Sequence, residues 1–168
     1  KFHASGNRLW ATYYGDTMFD HPRAVFTDAA SNVYLAGYTT STRFIASGGY
    51  QNTLLSMWGD AFIAKFDPAG TRLWGTYFGF PMHTQIIGMQ VIPTNSIFVC
   101  GRTGYQPNMN GGPHQPVFGG DLYDAFLAKI IQGPCTSPPA ATGAVNASYC
   151  EGNPIPTLSV AIPAVGDS

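Results

Sequence analysis

The octet "RLWATYYG" at Arg8–Gly15 returns as "RLWGTYFG" at Arg72–Gly79, 64 residues later. At that offset the match runs on without a gap: Met18/Met82, Gly37/Gly101, Thr39/Thr103, Gly48/Gly112, Gln51/Gln115, and "DAFIAKF" (Asp60–Phe66) against "DAFLAKI" (Asp124–Ile130). Val33/Ile97, Tyr34/Phe98 and Leu35/Val99 add conservative pairs. About a quarter of the paired positions are identical in a register that never slips, which marks a repeated structural unit rather than shared β-strand composition. Such a unit buries its apolar face against a copy of itself, so the repeat constrains the fold more than any other feature.

A third, partial copy opens the chain. "KFHASGNRLW" at the start matches "KFDPAGTRLW" at Lys65–Trp74. Lys1-Phe2 then reads as the tail of a strand, and an earlier repeat is expected upstream, in a longer polypeptide.

Each unit reads as four strands. Arg8–Tyr14 alternates, Arg23–Thr27 is short and apolar, and Val33–Tyr38 and Ala61–Phe66 are nearly continuous apolar runs. "DPAG" (Asp67–Gly70) has Pro second and Gly last, as a tight turn favours, and joins Ala61–Phe66 to Arg72–Phe78 as a hairpin. "DAASN" (Asp28–Asn32) joins the two middle strands in the same way. No stretch has a 3.6-residue apolar period, so no helix is expected. Strands apolar on both faces need cover on both faces. A repeated four-stranded unit obtains it by stacking, as propeller blades do. The 64-residue period exceeds the usual blade, and the excess lies between the third and fourth strands, at Thr40–Gly59 and Gly104–Tyr123.

Composition narrows the function classes. Charged residues are 10% of the 168 and net charge is −1, which points away from nucleic acid or another polyanion. Aromatics at 14%, with 20 Gly and 13 Pro, suit many short strands joined by turns and not a disordered chain. No apolar run is long enough for a transmembrane helix, and no signal peptide opens the chain.

"LWATYYG", "SNVYLAGYT", the Tyr50-Gln51 pair and "DAFIAKFDPAG" together resemble the SBBP repeat, a β-propeller-type repeat of secreted bacterial proteins. The resemblance covers about residues 1–132, as repeats at about 5–68 and 69–132 with 1–4 the tail of an upstream one. The second copy departs from it: "TDAASN" becomes "IPTNS" and "FDPAG" becomes "IIQGP", which suggests that the propeller ends there. Residues 133–144 are Pro-rich, like a linker. "SYCEGNPIPTLSVAI", within residues 145–168, resembles the opening of Ig-like domains in Bacteroidetes surface proteins, cut off after its first strands. The plainer reading is a Pro-rich tail packed on the propeller. The expected fold class is thus all-β: two four-stranded blades of a larger β-propeller, a linker, and the first strands of an Ig-like sandwich.

Cys100 stands where the sister copy has Ala36 and reads as a small buried hydrophobe. Cys135 and Cys150 flank the linker and could pair in an oxidising compartment. The Ig-like resemblance implies instead that Cys150 pairs with a cysteine beyond residue 168.

Little in the chain suggests catalysis. His3, His21, His83 and His114 lack metal-ligand spacing and read as surface or loop residues. There is no nucleophile elbow and no Walker loop, and "NGGPHQPVFGGD" lacks the Lys and following helix of a phosphate cradle. Asp60, repeated as Asp124, reads as a turn or cap residue made once per unit. Asp28 with Asn32 could hold calcium, but the sister loop has Ile92 and Ser96. No catalytic, metal or cofactor site is assigned.

The long inserts are the candidate interaction loops, because loops of that length in a compact domain are usually functional or mobile. They carry Tyr50, Trp58, Tyr105, His114, Phe118 and Tyr123, side chains suited to protein or sugar contact unless they fold back onto the blade. Asp16-Thr17-Met18 resembles the Bacteroidetes O-glycan sequon, which would place sugar on Thr17. Asn146–Ser148 matches the N-glycan sequon, discounted in a bacterium.

The resemblances imply a secreted or outer-surface protein, similar to type IX secretion cargo and gliding-motility adhesins of Bacteroidetes. The expected role is a non-enzymatic adhesin or scaffold segment contacting surface protein or glycan, the remaining blades of its own parent chain and secretion-system components. The alternatives are a carbohydrate-binding or accessory domain of a secreted hydrolase, and an enzyme whose site lies in the propeller channel.

Overall fold

In a computed structural model of the chain, residues 1–93, 96–104, 115, 117–133 and 149–150 are described. They form two sheets. Sheet I has the order β1 (Asp20–Thr27), β2 (Val33–Thr39), β3 (Asp60–Phe66), β4 (Arg72–Phe78), each antiparallel to its neighbour. Sheet II has the order β5 (Thr84–Ile92), β6 (Ser96–Thr103), β7 (Asp124–Gly133), antiparallel throughout. The two-residue β8 (Tyr149–Cys150) adds parallel to the end of β7. The described residues are therefore all-β, in two sheets.

The hairpin turns follow the chemistry expected of them. Asp67 Oδ1 accepts the Ala69 and Thr71 amides at 2.9 and 2.8 Å, and Gly70 takes φ 93° to close the turn. Asp28 Oδ1 accepts the Asn32 amide at 2.9 Å and closes the β1–β2 turn. Its other oxygen takes Asn32 Nδ2 and the Tyr34 hydroxyl.

The sheets stack face to face. Tyr34, Ala36, Ile63, Trp74 and Phe78 of sheet I meet Ile86, Val91, Ile97, Val99, Phe126 and Ile130 of sheet II in one buried cluster. Full burial of side chains such as Ile63 and Ile97 stabilises the stack by roughly 1.5–3 kcal/mol each. The opposite face of sheet I buries Phe62 and Tyr77 under Tyr14, Ile45 and Leu54. Covered on both sides, β3 is buried along its whole length, as its unbroken apolar run requires.

The expected strand at Arg8–Tyr14 does not form. Only Phe2 and Arg8 bridge, repeating the Phe66–Arg72 pair at the same offset. β4 pairs along its length with β3, whereas among the described residues Arg8–Tyr14 has no paired strand beside it. The segment still lies over sheet I, with Tyr14 5.2 Å from Phe62 and Trp10 6.5 Å from Phe66 between ring centroids. The fourth strand of sheet I comes instead from the second sequence copy, as β4.

Cys100 is exposed, against expectation. Its counterpart Ala36 is buried because sheet II covers that face of sheet I, and no described residue covers the equivalent face of sheet II.

The first long insert acts in part as an edge strand. Ser47 pairs with Gly75 and Gln51 with Tyr77, so the turn-rich segment runs along the free edge of β4. An edge paired in this way no longer offers open N–H and C=O groups to another chain. A bulge in β1 between Pro22 and Ala24, repeated in β5 between Ile86 and Gly88, pushes a carbonyl against the next strand. A Cβ on Gly37 would lie 2.1 Å from the His21 oxygen, and one on Gly101 1.9 Å from the Gln85 oxygen. Both repeats keep glycine there because no side chain fits.

Candidate recognition face

The topology brings both inserts to one end of the sheets. Strands β1, β3, β5 and β7 begin there and β2, β4 and β6 end there, so residues 40–59 and the described ends of the second insert, Gly104 and residues 117–123, lie on the same side. The short turns at 28–32 and 67–71 lie at the other end. On the insert side, the Thr84 amide donates to the Gly59 carbonyl at 3.3 Å and ties the two sheets together.

Buried and half-buried polar groups form the floor of this end. Asp20 accepts from the Asp16 amide at 3.1 Å, Thr39 Oγ1 at 2.5 Å and Ser41 Oγ at 2.8 Å. Asp60 accepts from the Leu55 amide at 2.7 Å and Gln51 Nε2 at 3.0 Å. One repeat on, Asp124 accepts from the Gly119 amide at 2.5 Å. Asp60 and Asp124 shape the bases of the inserts, the role expected of a residue repeated once per unit, whereas the equivalent of Asp20 is Thr84. Burial pushes the Asp60 carboxyl above the ordinary carboxylate value.

Above the floor a row of rings crosses both sheets. Phe19 stacks on His21 at 6.1 Å and His21 on Tyr38 at 6.1 Å. Tyr38 meets His83 at 4.9 Å, and His83 meets the edge of Tyr123 at 5.5 Å. The row ends at Arg102, whose guanidinium lies 4.6 Å from the Tyr123 ring centre while Nε donates to Gln85 Oε1 at 3.2 Å. The Tyr38 hydroxyl donates to the Trp58 carbonyl at 2.7 Å and holds the insert against the row. Burial, and then the Arg102 charge, hold the His83 imidazole below its ordinary value. His83 is therefore neutral over a wider range than a surface histidine. Phe19 at the head of the row and Met57, Trp58 and Leu122 beside it are each more than half exposed, at 69%, 85%, 60% and 75%. Exposed apolar area of this kind, rimmed by polar groups, makes this end a candidate interaction surface.

Among the expected loop residues, Trp58 and Tyr123 belong to this end. Tyr50 does not, because it lies beside the β4 edge and lines an apolar crevice with Ile63, Trp74, Phe78 and Ile130. Phe118 is half-buried ahead of β7. Thr17 is exposed in the segment before β1. Tyr105, His114 and Cys135 lie outside the described residues, as does all of 134–168 except Tyr149–Cys150. Phe19, His21, Tyr38, His83 and Arg102 were not foreseen. Their signal was the repeat itself: positions 19/83, 21/85 and 38/102 are equivalent and all carry rings, amides or a cation.

No protein-family model matches the chain. It is 26% identical over 137 residues to a WD repeat-containing protein of Acanthamoeba polyphaga mimivirus. That alignment takes in 77% of this chain and 10% of the relative, so the chain spans a small part of the protein it matches. A repeat-built relative agrees with the repeated sheets. Among the described residues no helix is long and apolar enough to cross a membrane.

Proposed function

We propose that this chain is a segment of a larger β-propeller, of the SBBP-like kind, in a secreted or cell-surface protein, and that its insert-bearing end contacts protein or glycan. In this reading it is a non-enzymatic adhesin or scaffold module. The observation that carries the binding role is the ring row from Phe19 to Tyr123 with exposed Trp58 and Met57 beside it.

The larger ring is supported by equivalence between faces. Sheet II covers Tyr34, Ala36, Ile63 and Lys65 of sheet I, all 6% exposed or less. The same positions of sheet II are Phe98, Cys100, Leu127 and Lys129, with Leu127 at 74% exposure. Lys65 sits 5.4 Å over Tyr34 and Lys129 5.7 Å over Phe98, so the two faces are built alike. A head-to-tail joint between like units propagates, and closes into a ring where the rotation per unit allows it. A further sheet of the same kind is the occupant that fits.

The test is an array of surface glycans and purified surface proteins probed with the chain, Trp58→Ala and Tyr123→Ala. Binding that falls more than tenfold in both variants, with unchanged thermal unfolding, supports the reading. Binding that both variants retain moves the contact off this end and rejects it.

A further inference from the structure

The repeat offers an internal comparison at the end of the ring row. In sheet I, position 38 is Tyr and position 59 is Gly, and a Cβ on Gly59 would lie 2.5 Å from the Tyr38 ring. The ring fills the space a side chain at 59 would need. In sheet II the equivalent residues are Arg102 and Tyr123, and the Tyr123 ring lies beneath the guanidinium. Each sheet thus keeps one aromatic ring at this place. In sheet I β2 supplies it, and in sheet II the residue just before β7 supplies it. The exchange leaves the end of β6 free to carry a cation. Packing alone does not require that cation, because sheet I manages without one.

Arg102 is exposed and held in one pose. Tyr123 supports its plane, and buried Gln85 accepts from Nε, which leaves the two terminal amino groups as its outward donors. Its charge has no acid partner among the described residues, where Arg43–Asp16 is the ion pair present. Asp124 is engaged by the Gly119 amide. A planar guanidinium with a free donor edge matches a carboxylate in bidentate fashion. The exposed rings of the same row offer apolar faces suited to the C–H face of a pyranose.

We infer that Arg102, framed by Tyr123 and Gln85, is the carboxylate subsite of a face that binds acidic saccharides of the uronic-acid type. The inference rests on the reading of this end as a recognition surface and names its ligand class.

The experiment is calorimetric titration of the full chain with oligogalacturonate, with the same oligomer fully methyl-esterified, and with a poly-glutamate peptide. Arg102→Gln, which keeps hydrogen-bonding ability and removes the charge, is run beside it. Binding of the acid at least tenfold tighter than the ester, with that preference lost in Arg102→Gln and weakened by salt, is the expected result. Equal binding of acid and ester overturns the carboxylate subsite and leaves the recognition face standing. Arg102-dependent binding of poly-glutamate alone overturns the saccharide in favour of an acidic protein partner. Binding of none of the three, alongside an array contact that survives Trp58→Ala and Tyr123→Ala, overturns both.

Discussion

Phe78, the last residue of β4, rests its ring 5.7 Å from that of Phe126 in β7. Tyr14 and Phe62 make the same contact one repeat earlier, at 5.2 Å. The pair is the joint between one unit and the next, and it persists where strand pairing does not. Tyr14 keeps its place over Phe62 although Arg8–Tyr14 forms no strand, because ring burial needs no hydrogen-bonded neighbour.

The joint should dominate stability. Phe126 is 5% exposed, and Phe126→Ala removes a ring from the cluster between the sheets. A loss of about 3–5 kcal/mol is expected, read as a lower midpoint in urea unfolding. A loss under about 1 kcal/mol would mean that the sheets do not stack as described.

Gly37 and Gly101 should be intolerant of any side chain. Gly37→Ala drives a methyl group into the His21 carbonyl, and the backbone on both sides is held by strand pairing. Destabilisation on the order of 3 kcal/mol is expected, and Gly101→Ala should behave alike. Gly6→Ala is the control: it carries a positive φ, 85°, which Gly37 and Gly101 do not, but a Cβ there meets nothing within 4 Å, so it should cost less.

Gln51 ties the insert to the start of β3 and the end of β4. Its side chain donates to Asp60 and to the Thr53 carbonyl, and accepts from the Gly79 amide at 3.1 Å. Gln51→Ala removes one donor from the buried Asp60 carboxylate and the acceptor of the half-buried Gly79 amide, at about 1–3 kcal/mol. Limited proteolysis should then cut within residues 40–59 before the rest of the sheet opens.

Two buried groups should tilt the pH dependence in opposite senses. Burial raises Asp60 above 3.8, so its contribution is full below that value and is lost as pH rises through the folded pKa. Burial lowers His83 below 6.5, so its contribution is full above that value and is lost as pH falls through the folded pKa. Asp60→Asn should remove the first loss and His83→Gln the second, in unfolding free energy measured across acidic to neutral pH. An unchanged curve in either variant would assign the slope to other groups.

The repeat, the all-β class, the two hairpin turns and the repeated cap acids were legible in the residues, because each depends on local pattern. Apolar runs, turn residues and a constant offset act over a few positions or recur at a fixed distance, so they survive in one dimension. Neighbourhood decided the rest. Which copy supplies the fourth strand depends on which segment has a full-length partner, and that moved the sheet off the sequence repeat. Cys100 and Ala36 occupy the same position and differ in burial because only one of their faces has a described sheet against it. The insert's pairing with β4 joins residues about 25 apart through backbone groups, which every residue type shares and no composition reveals. The ring row needed tertiary structure most of all. Phe19, His21, Tyr38, His83, Arg102 and Tyr123 come from five separate stretches, and only the stacking of two sheets sets Tyr38 beside His83.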